Sequence, residues 1–351
     1  MAEAFIVSCE KDNIDITKKL MFVINVNQID EYGKTGLIHA CIKGNYKIVK
    51  ELLKHDDLNL NIVDNNGNTA FVYACMYNHL DIVKLLINYE CDNVMNSRAL
   101  YYLCENSNNE IIKYLTKLPY YKFQVDVNYL VNGKSPLFHL CENNNVEQVK
   151  LLLEYLDINL NLKYDNVSIF EYCCGKNYVE IVKLLIENIN FNVEKENIVK
   201  IIFESVNLNK FELFKLLHDY VNLSISDSEG NTLFTLACKN NNHKLIKFLF
   251  YKSNVNHVND EGYSGFHYLC THRIIKPYIL QMFRNVDMNT INKHNNSPLN
   301  TLCILGNTKL ARKLIKKDGK KLMKHNLSLM KYYANEHGDF KLLKLLKEFK
   351  E

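Results

Sequence analysis

Apolar residues recur along this chain in clusters of one kind, two adjacent apolar positions and then another two one helical turn later, usually set around a lysine. Examples are Ile48-Val49-Lys50-Glu51-Leu52-Leu53, Ile82-Val83-Lys84-Leu85-Leu86-Ile87, Ile181-Val182-Lys183-Leu184-Leu185-Ile186, Leu245-Ile246-Lys247-Phe248-Leu249-Phe250 and Leu342-Leu343-Lys344-Leu345-Leu346. Occupancy at i, i+1, i+4 and i+5 fills one face of a helix. A second short apolar stretch precedes each cluster, so the pattern predicts pairs of short helices. Gly or Asn stands between the two stretches, at Gly44, Asn78, Asn177, Gly306 and Gly338, where a helix end must tolerate a left-handed residue. So short a connection makes the two helices antiparallel neighbours. Ahead of the first helix comes a polar turn, as in Asp30-Glu31-Tyr32-Gly33-Lys34-Thr35, Asp64-Asn65-Asn66-Gly67-Asn68-Thr69 and Asp227-Ser228-Glu229-Gly230-Asn231-Thr232. There glycine supplies the positive φ, and Thr or Ser then caps the helix.

The cysteines give the same period. Cys9, Cys41, Cys75, Cys104, Cys141, Cys174, Cys238, Cys270 and Cys303 are spaced 29 to 37 residues apart, except for one gap of 64 in which Val206 holds the skipped slot. Equivalent residues of stacked units lie about 10 Å apart, beyond the reach of a disulfide. No compact Cys/His cluster suggests zinc, so these cysteines read as small buried hydrophobes with free thiols, in keeping with a reducing cytosol. His39 with Cys41, and His139 with Cys141, stand two residues apart on a helix and point away from each other, which argues against a thiol nucleophile.

With both patterns aligned, the chain resembles ankyrin-repeat proteins, whose unit pairs a β-turn hairpin with two antiparallel helices and carries a T-P-L-H-x-A signature. Thr35-Gly36-Leu37-Ile38-His39-Ala40, Thr69-Ala70-Phe71-Val72-Tyr73-Ala74, Ser135-Pro136-Leu137-Phe138-His139-Leu140, Ser264-Gly265-Phe266-His267-Tyr268-Leu269 and Ser297-Pro298-Leu299-Asn300-Thr301-Leu302 stand at that signature. Only His267 fills the family's histidine slot; His39 and His139 sit one residue later. The resemblance implies an all-α solenoid of about eleven helix pairs in a single array over residues 1–351. Residues 1–27 and 327–351 would be capping units, with irregular units near 91–132 and 192–223 among the internal repeats of 28–326. In the first irregular stretch Cys91 to Ser97 lacks the glycine turn, and an insert containing Tyr120, Tyr121 and Phe123 follows, either a partner site or a loop tucked over the joint. The weakened joint is expected to open before the regular units.

The resemblance also nominates a surface. First-helix aromatics two residues before the cysteine column (His39, Tyr73, Tyr102, His139, Tyr172 and Tyr268) would border a concave groove, with Met76 and Tyr77 one turn on and Tyr32, Lys34, Asn66, Asn68, Lys134, Tyr164 and Tyr263 at the turn tips. It further implies hydroxylation at a hairpin asparagine, for which Leu151 followed by Asp157-Ile158-Asn159 makes Asn159 the candidate.

The net charge of +4 is small, but residues 309–351 hold 13 Lys+Arg against 5 Asp+Glu. Lys309, Arg312, Lys316, Lys317, Lys320 and Lys321 therefore form a candidate patch for an anionic partner. Asp81, Glu110, Glu147, Glu180 and Glu212 are placed to pair with the lysines three residues later on the same second helices. No apolar run is long enough to span a bilayer, and no Walker loop, GxGxxG, HExxH or GxSxG is present. The expectation is a cytoplasmic or nuclear non-enzymatic scaffold that binds a protein, with no cofactor, metal or membrane partner and without nucleic acid as the main ligand. Its Asn- and Lys-rich style resembles arrays of large DNA viruses and AT-rich protists, which implies a setting in host interaction. Two alternatives stay open, a ubiquitin-ligase substrate adaptor and an anion or nucleic-acid binder through the basic C-terminal face.

Overall fold

A computed structural model describes residues 1–89, 93–119, 123–192, 195–272, 279, 282, 286–322 and 327–349, apart from the side chains of 93, 195, 196 and 317–322. The chain divides into two units, Met1–Val193 and Glu194–Glu351. In the first unit, helix pairs repeat from Ala2–Glu10 with Ile14–Leu20 through Gly36–Lys43 with Tyr46–Leu52, and so on to Ile169–Lys176 with Val179–Glu187. First helices pack on the next repeat's first helix and second helices on the next second helix, so the unit is two helical layers with the core between them. The second unit repeats the arrangement from Lys195–Asn207 with Phe211–Leu217 to Leu327–Glu336 with Phe340–Leu346. The strand content among the described residues is one two-residue hairpin, Lys163–Tyr164 with Val167–Ser168, and isolated bridges such as Ile29 with Thr35.

The local signals act as expected. Thr35, Thr69, Ser135, Ser168, Thr232, Ser264 and Ser297 each accept an N–H of the first helix turn on their side chains. Gly44, Asn78, Asn177, Gly306 and Gly338 adopt positive φ between the paired helices. Successive hairpins lie close together: Gly33 has φ +76, and a Cβ there would stand 2.7 Å from Asn65 Oδ1. The cysteine column is buried and unbridged, Cys173 with it, and Val206 is buried in the skipped slot. Cys91 lies outside the described residues. Burial pushes the Cys9 and Cys303 thiols up to about 12, which makes them poor nucleophiles.

Two features were not visible in the sequence pattern. In several repeats the residue that opens the second helix reaches carbonyls at the end of the preceding repeat's first helix: Asn45 Nδ2 donates to Cys9 O (2.8 Å) and Asn108 Nδ2 to Cys75 O (2.9 Å), and His79 Nε2 lies 3.2 Å from Ile42 O. Carbonyls at a helix end lack an intrahelical partner, so these side chains close the helix ends onto the next repeat. A second column runs along the loops. Asn27 donates to Asp57 O (2.7 Å) and accepts from Asn59 N–H (2.9 Å), and Asn128 treats Asp157 O and Asn159 N–H in the same way (2.8 Å each). Much of the asparagine, which as composition points only to AT-rich coding DNA, thus serves repeat-to-repeat contact.

The irregular third unit replaces its missing turn with a longer first helix, Asn93–Glu105. Arg98 from that helix reaches back to the preceding hairpin, donating to Asn66 O (2.6 Å) and Asn68 Oδ1 (2.7 Å). Of the insert, Phe123 is buried with its ring 6.5 Å from that of Phe71, so this part tucks over the joint. Tyr120 and Tyr121 lie outside the described residues.

Candidate partner-binding surface

Each regular hairpin is closed by its opening Asp or Asn. Asp30 Oδ1 accepts the N–H groups of Tyr32 (2.9 Å) and Lys34 (2.8 Å); Asp64 Oδ1 accepts those of Asn66 and Asn68 (3.0 Å each). The other terminal atom of the same side chain reaches nine residues on, to the aromatic column. Asp30 Oδ2 lies 2.8 Å from His39 Nε2, Tyr73 donates its hydroxyl to Asp64 Oδ2 (2.5 Å), and Asn259 donates to the Tyr268 hydroxyl (3.3 Å). One side chain therefore holds both the turn and the first helix that follows it.

This changes what the column does. Tyr73 is 5% and His139 9% exposed. Burial, followed by the bond to Asp64, pushes the Tyr73 phenol up. His139 Nε2 lies 2.8 Å from the Tyr101 hydroxyl, burial and then Lys134 hold its pKa down, and burial pushes Tyr101 up to about 12. The polar tips of His39, Tyr73 and His139, expected to face a partner, are thus used inside the chain, the first two by the aspartate of their own turn and His139 by Tyr101. Tyr102, Tyr172, Tyr268 and His39 are half-buried, as is Met76, and Tyr77 is 52% exposed with its ring stacked 6.2 Å from Tyr73.

The turn tips divide in the same way. Tyr32 is 59% exposed and Asn66 is exposed, whereas Asn68 is buried beneath Arg98. Lys34 lies 5.8 Å from the Tyr32 ring centroid and 5.6 Å from that of Tyr73, Arg98 5.9 Å from Tyr102, Lys134 4.4 Å from Tyr164 and Lys176 5.7 Å from Tyr172. Lys134 also pairs with Glu142 at 3.0 Å. The first unit therefore presents tyrosine rings with cations laid over them, an arrangement that fixes both partners. In the second unit Tyr263 stacks on Tyr268 at 5.2 Å, with Lys239 5.6 Å from the Tyr268 ring. Arg98 escaped sequence reasoning because its partners, Asn66 and Asn68, lie about one repeat back, and Glu142 because its lysine stands eight residues away, in the hairpin before its own helix.

His267, in the family's histidine slot, ties the start of its own helix to the following hairpin. Ser264 N–H donates to Nδ1 (3.0 Å), so Nε2 carries the proton and donates to Asn296 O (2.9 Å) in the next hairpin. Burial pulls its pKa down. Asn159 is exposed, and its Oδ1 accepts Asn161 N–H at 2.9 Å.

On the basic face Lys309 and Lys316 are exposed, while Arg312 is half-buried and paired with Asp339 at 3.2 Å. The side chains of Lys317, Lys320 and Lys321 lie outside the described residues. The expected i, i+3 pairs of Asp81, Glu110, Glu147, Glu180 and Glu212 with their lysines do not form. Glu51 instead bonds Lys54 (2.9 Å) and reaches Lys18 of the preceding second helix at 3.7 Å.

The sequence matches the family of ankyrin repeats in three-copy form over residues 5–97, 57–128 and 100–197, together more than half of the chain, and the single ankyrin repeat over 229–260. The chain belongs to the ankyrin-repeat family. Ankyrin repeats are a protein-interaction module, and that is the class of function which membership brings. Among solved structures, an ankyrin repeat domain from Acinetobacter baumannii AYE is 23% identical with a TM-score of 0.46, covering 52% of this chain and 95% of its own. The ankyrin repeat protein EF0377 is 18% identical with a TM-score of 0.47, covering 53% of this chain and 98% of its own. No curated protein matches the ankyrin chain. No described helix is long and apolar enough to cross a membrane.

Proposed function

We propose that this ankyrin-repeat chain is a non-enzymatic scaffold that takes a partner protein against the hairpin tips and first-helix face of its first unit. The observation that carries the reading is the bracing of that face. Asp30 and Asp64 lock turn to helix, and cations seat the rings of Tyr32, Tyr102, Tyr164 and Tyr172. Rigid tyrosines offer large contact area at little ordering cost on binding, which favours them as interface anchors. Tyr77 and Tyr102 are the residues to test, because Tyr73 is held inside the chain by Asp64. Partner recovered from the cell that makes the protein is measured with wild type and with Tyr77→Ala/Tyr102→Ala. The expected result is at least a roughly tenfold loss of affinity with unchanged thermal unfolding; full retention would refute the site.

The same unit recurs in both parts of the chain, which supports reading residues 1–351 as one repeat array. Unbridged buried cysteines support a reducing compartment such as the cytoplasm. Exposure of Asn159 supports it as a hydroxylation candidate, to be checked by intact peptide mass after expression with and without a cytosolic asparaginyl hydroxylase. An added oxygen in the first sample only is expected.

A further inference from the structure

The helices Thr308–Leu322 and Phe340–Leu346 pack side by side in the second unit, and the Arg312 to Asp339 pair joins them. Being equivalent second helices of successive repeats, they run the same way, about 8 to 10 Å apart. Their solvent side carries Lys309, Lys313 and Lys316 on one helix and Lys341, Lys344 and Lys347 along the other, all exposed. The first set is spaced i, i+4, i+7 and the second i, i+3, i+6, so each forms a rail about 9 to 10 Å long. None of the six is in an ion pair among the described residues. Of the facing carboxylates, Asp339 is held by Arg312, and Glu348 is exposed at the far end. Phe340, 73% exposed, stands at the head of the face.

From this we infer that the paired lysine rails dock an acidic helix of a partner protein, laid lengthwise between them with Phe340 as its apolar anchor. Two features of the chain favour a helix over other polyanions. Lysines three and four residues apart repeat every 4.5 to 6 Å or so along the axis, the spacing of carboxylates at i, i+3 and i+4 on a helix. The chain also uses this contact itself: Lys18 on one second helix meets Glu51 on the next at 3.7 Å. Phosphate recognition by paired N–H groups would call for arginine, and Arg312 is already engaged. The inference does not depend on the tyrosine face of the first unit, so either can fail alone.

The test uses the full chain and a fluorescent alanine-based helical peptide with glutamates at i, i+4 and i+7, followed by anisotropy at low and moderate salt. Comparison probes are a scrambled peptide of equal charge containing proline, a single-stranded oligonucleotide of equal charge, and phosphatidylcholine vesicles containing phosphatidylserine. The patterned peptide is expected to bind roughly tenfold more tightly than the scrambled one, with Lys309→Gln/Lys313→Gln/Lys344→Gln abolishing that preference and Tyr77→Ala/Tyr102→Ala leaving it intact. Circular dichroism and thermal unfolding confirm that the lysine variant is folded. Equal binding to all four probes, preference for the oligonucleotide or vesicles, or indifference to the lysine changes would overturn the proposal.

Discussion

Tyr73 donates its hydroxyl to Asp64, whose carboxylate also closes the hairpin through two backbone N–H groups, so the residue couples turn and helix from a buried position. Tyr73→Phe keeps the ring and leaves one carboxylate oxygen short of a donor, at an expected cost of about 1 to 2 kcal/mol. Tyr73→Ala also opens a cavity and should cost about 3 to 5 kcal/mol. Urea denaturation of both variants measures the difference; equal costs would mean that the hydrogen bond is the whole effect. His267 makes a pH prediction of definite sign. Nδ1 accepts from Ser264 N–H, so protonation must break that bond, and burial holds the folded pKa below the ordinary 6.5. Between those two values the unfolded chain binds more protons than the folded one, so stability rises with pH there. The contribution is complete above about pH 6.5 and declines as the solution is acidified below it. His267→Asn, which places here the residue that Asn300 supplies at the same slot, should flatten this slope in unfolding midpoints measured from about pH 5 to 7.

At the scale of the element, Asn93–Glu105 shows how a repeat survives without its hairpin. The helix starts earlier, Arg98 spans to Asn66 and Asn68, Asp126 N–H donates to Ser97 Oγ (2.7 Å), and Asn96 donates to Gln124 O (3.1 Å). A joint held by a few polar braces depends on each of them. Arg98→Ala is therefore expected to cost about 1 to 3 kcal/mol and to speed amide exchange in the 64–69 hairpin and in 95–100, with residues 36–52 unchanged. Uniform protection in the variant would show that apolar packing alone holds the joint. Helix pairs, caps, left-handed turns and the cysteine column were legible because each depends on residues close in sequence and repeats in register. The Asp30 and Asp64 bridges to the column aromatics were not, because the turn aspartate already had a sufficient local explanation. The asparagine columns of Asn27, Asn45, Asn108 and Asn128 were hidden for a different reason: their partners lie about one repeat away, and a common amide looks like compositional bias until neighbours are placed beside it. The tyrosine surface was half legible, since position along the helix was readable from the period while burial depended on those bridges.

For the molecule as a whole, repeat arrays gain stability as a sum of unit and nearest-neighbour terms, so a loss inside one repeat spreads only as far as the coupling carries it. The chain contacts itself mainly within Met1–Val193 and within Glu194–Glu351. Phe266 provides a clean probe of the second unit: it is buried, its ring lies 6.0 Å from Phe234, and it belongs to a first helix packed between two others. Phe266→Ala should remove about 3 to 5 kcal/mol there. If each unit is cooperative within itself, native-state hydrogen exchange of the variant will accelerate through 233–304 while residues 5–115 keep their wild-type rates, and denaturant unfolding will separate into two transitions. If the array behaves as one cooperative body, protection will instead fall by the same factor at both ends and a single transition will shift to lower denaturant. The first outcome would also leave the tyrosine face of the first unit competent to bind while the lysine rails of the second are lost, since the Phe266 helix supports the repeats that carry those rails.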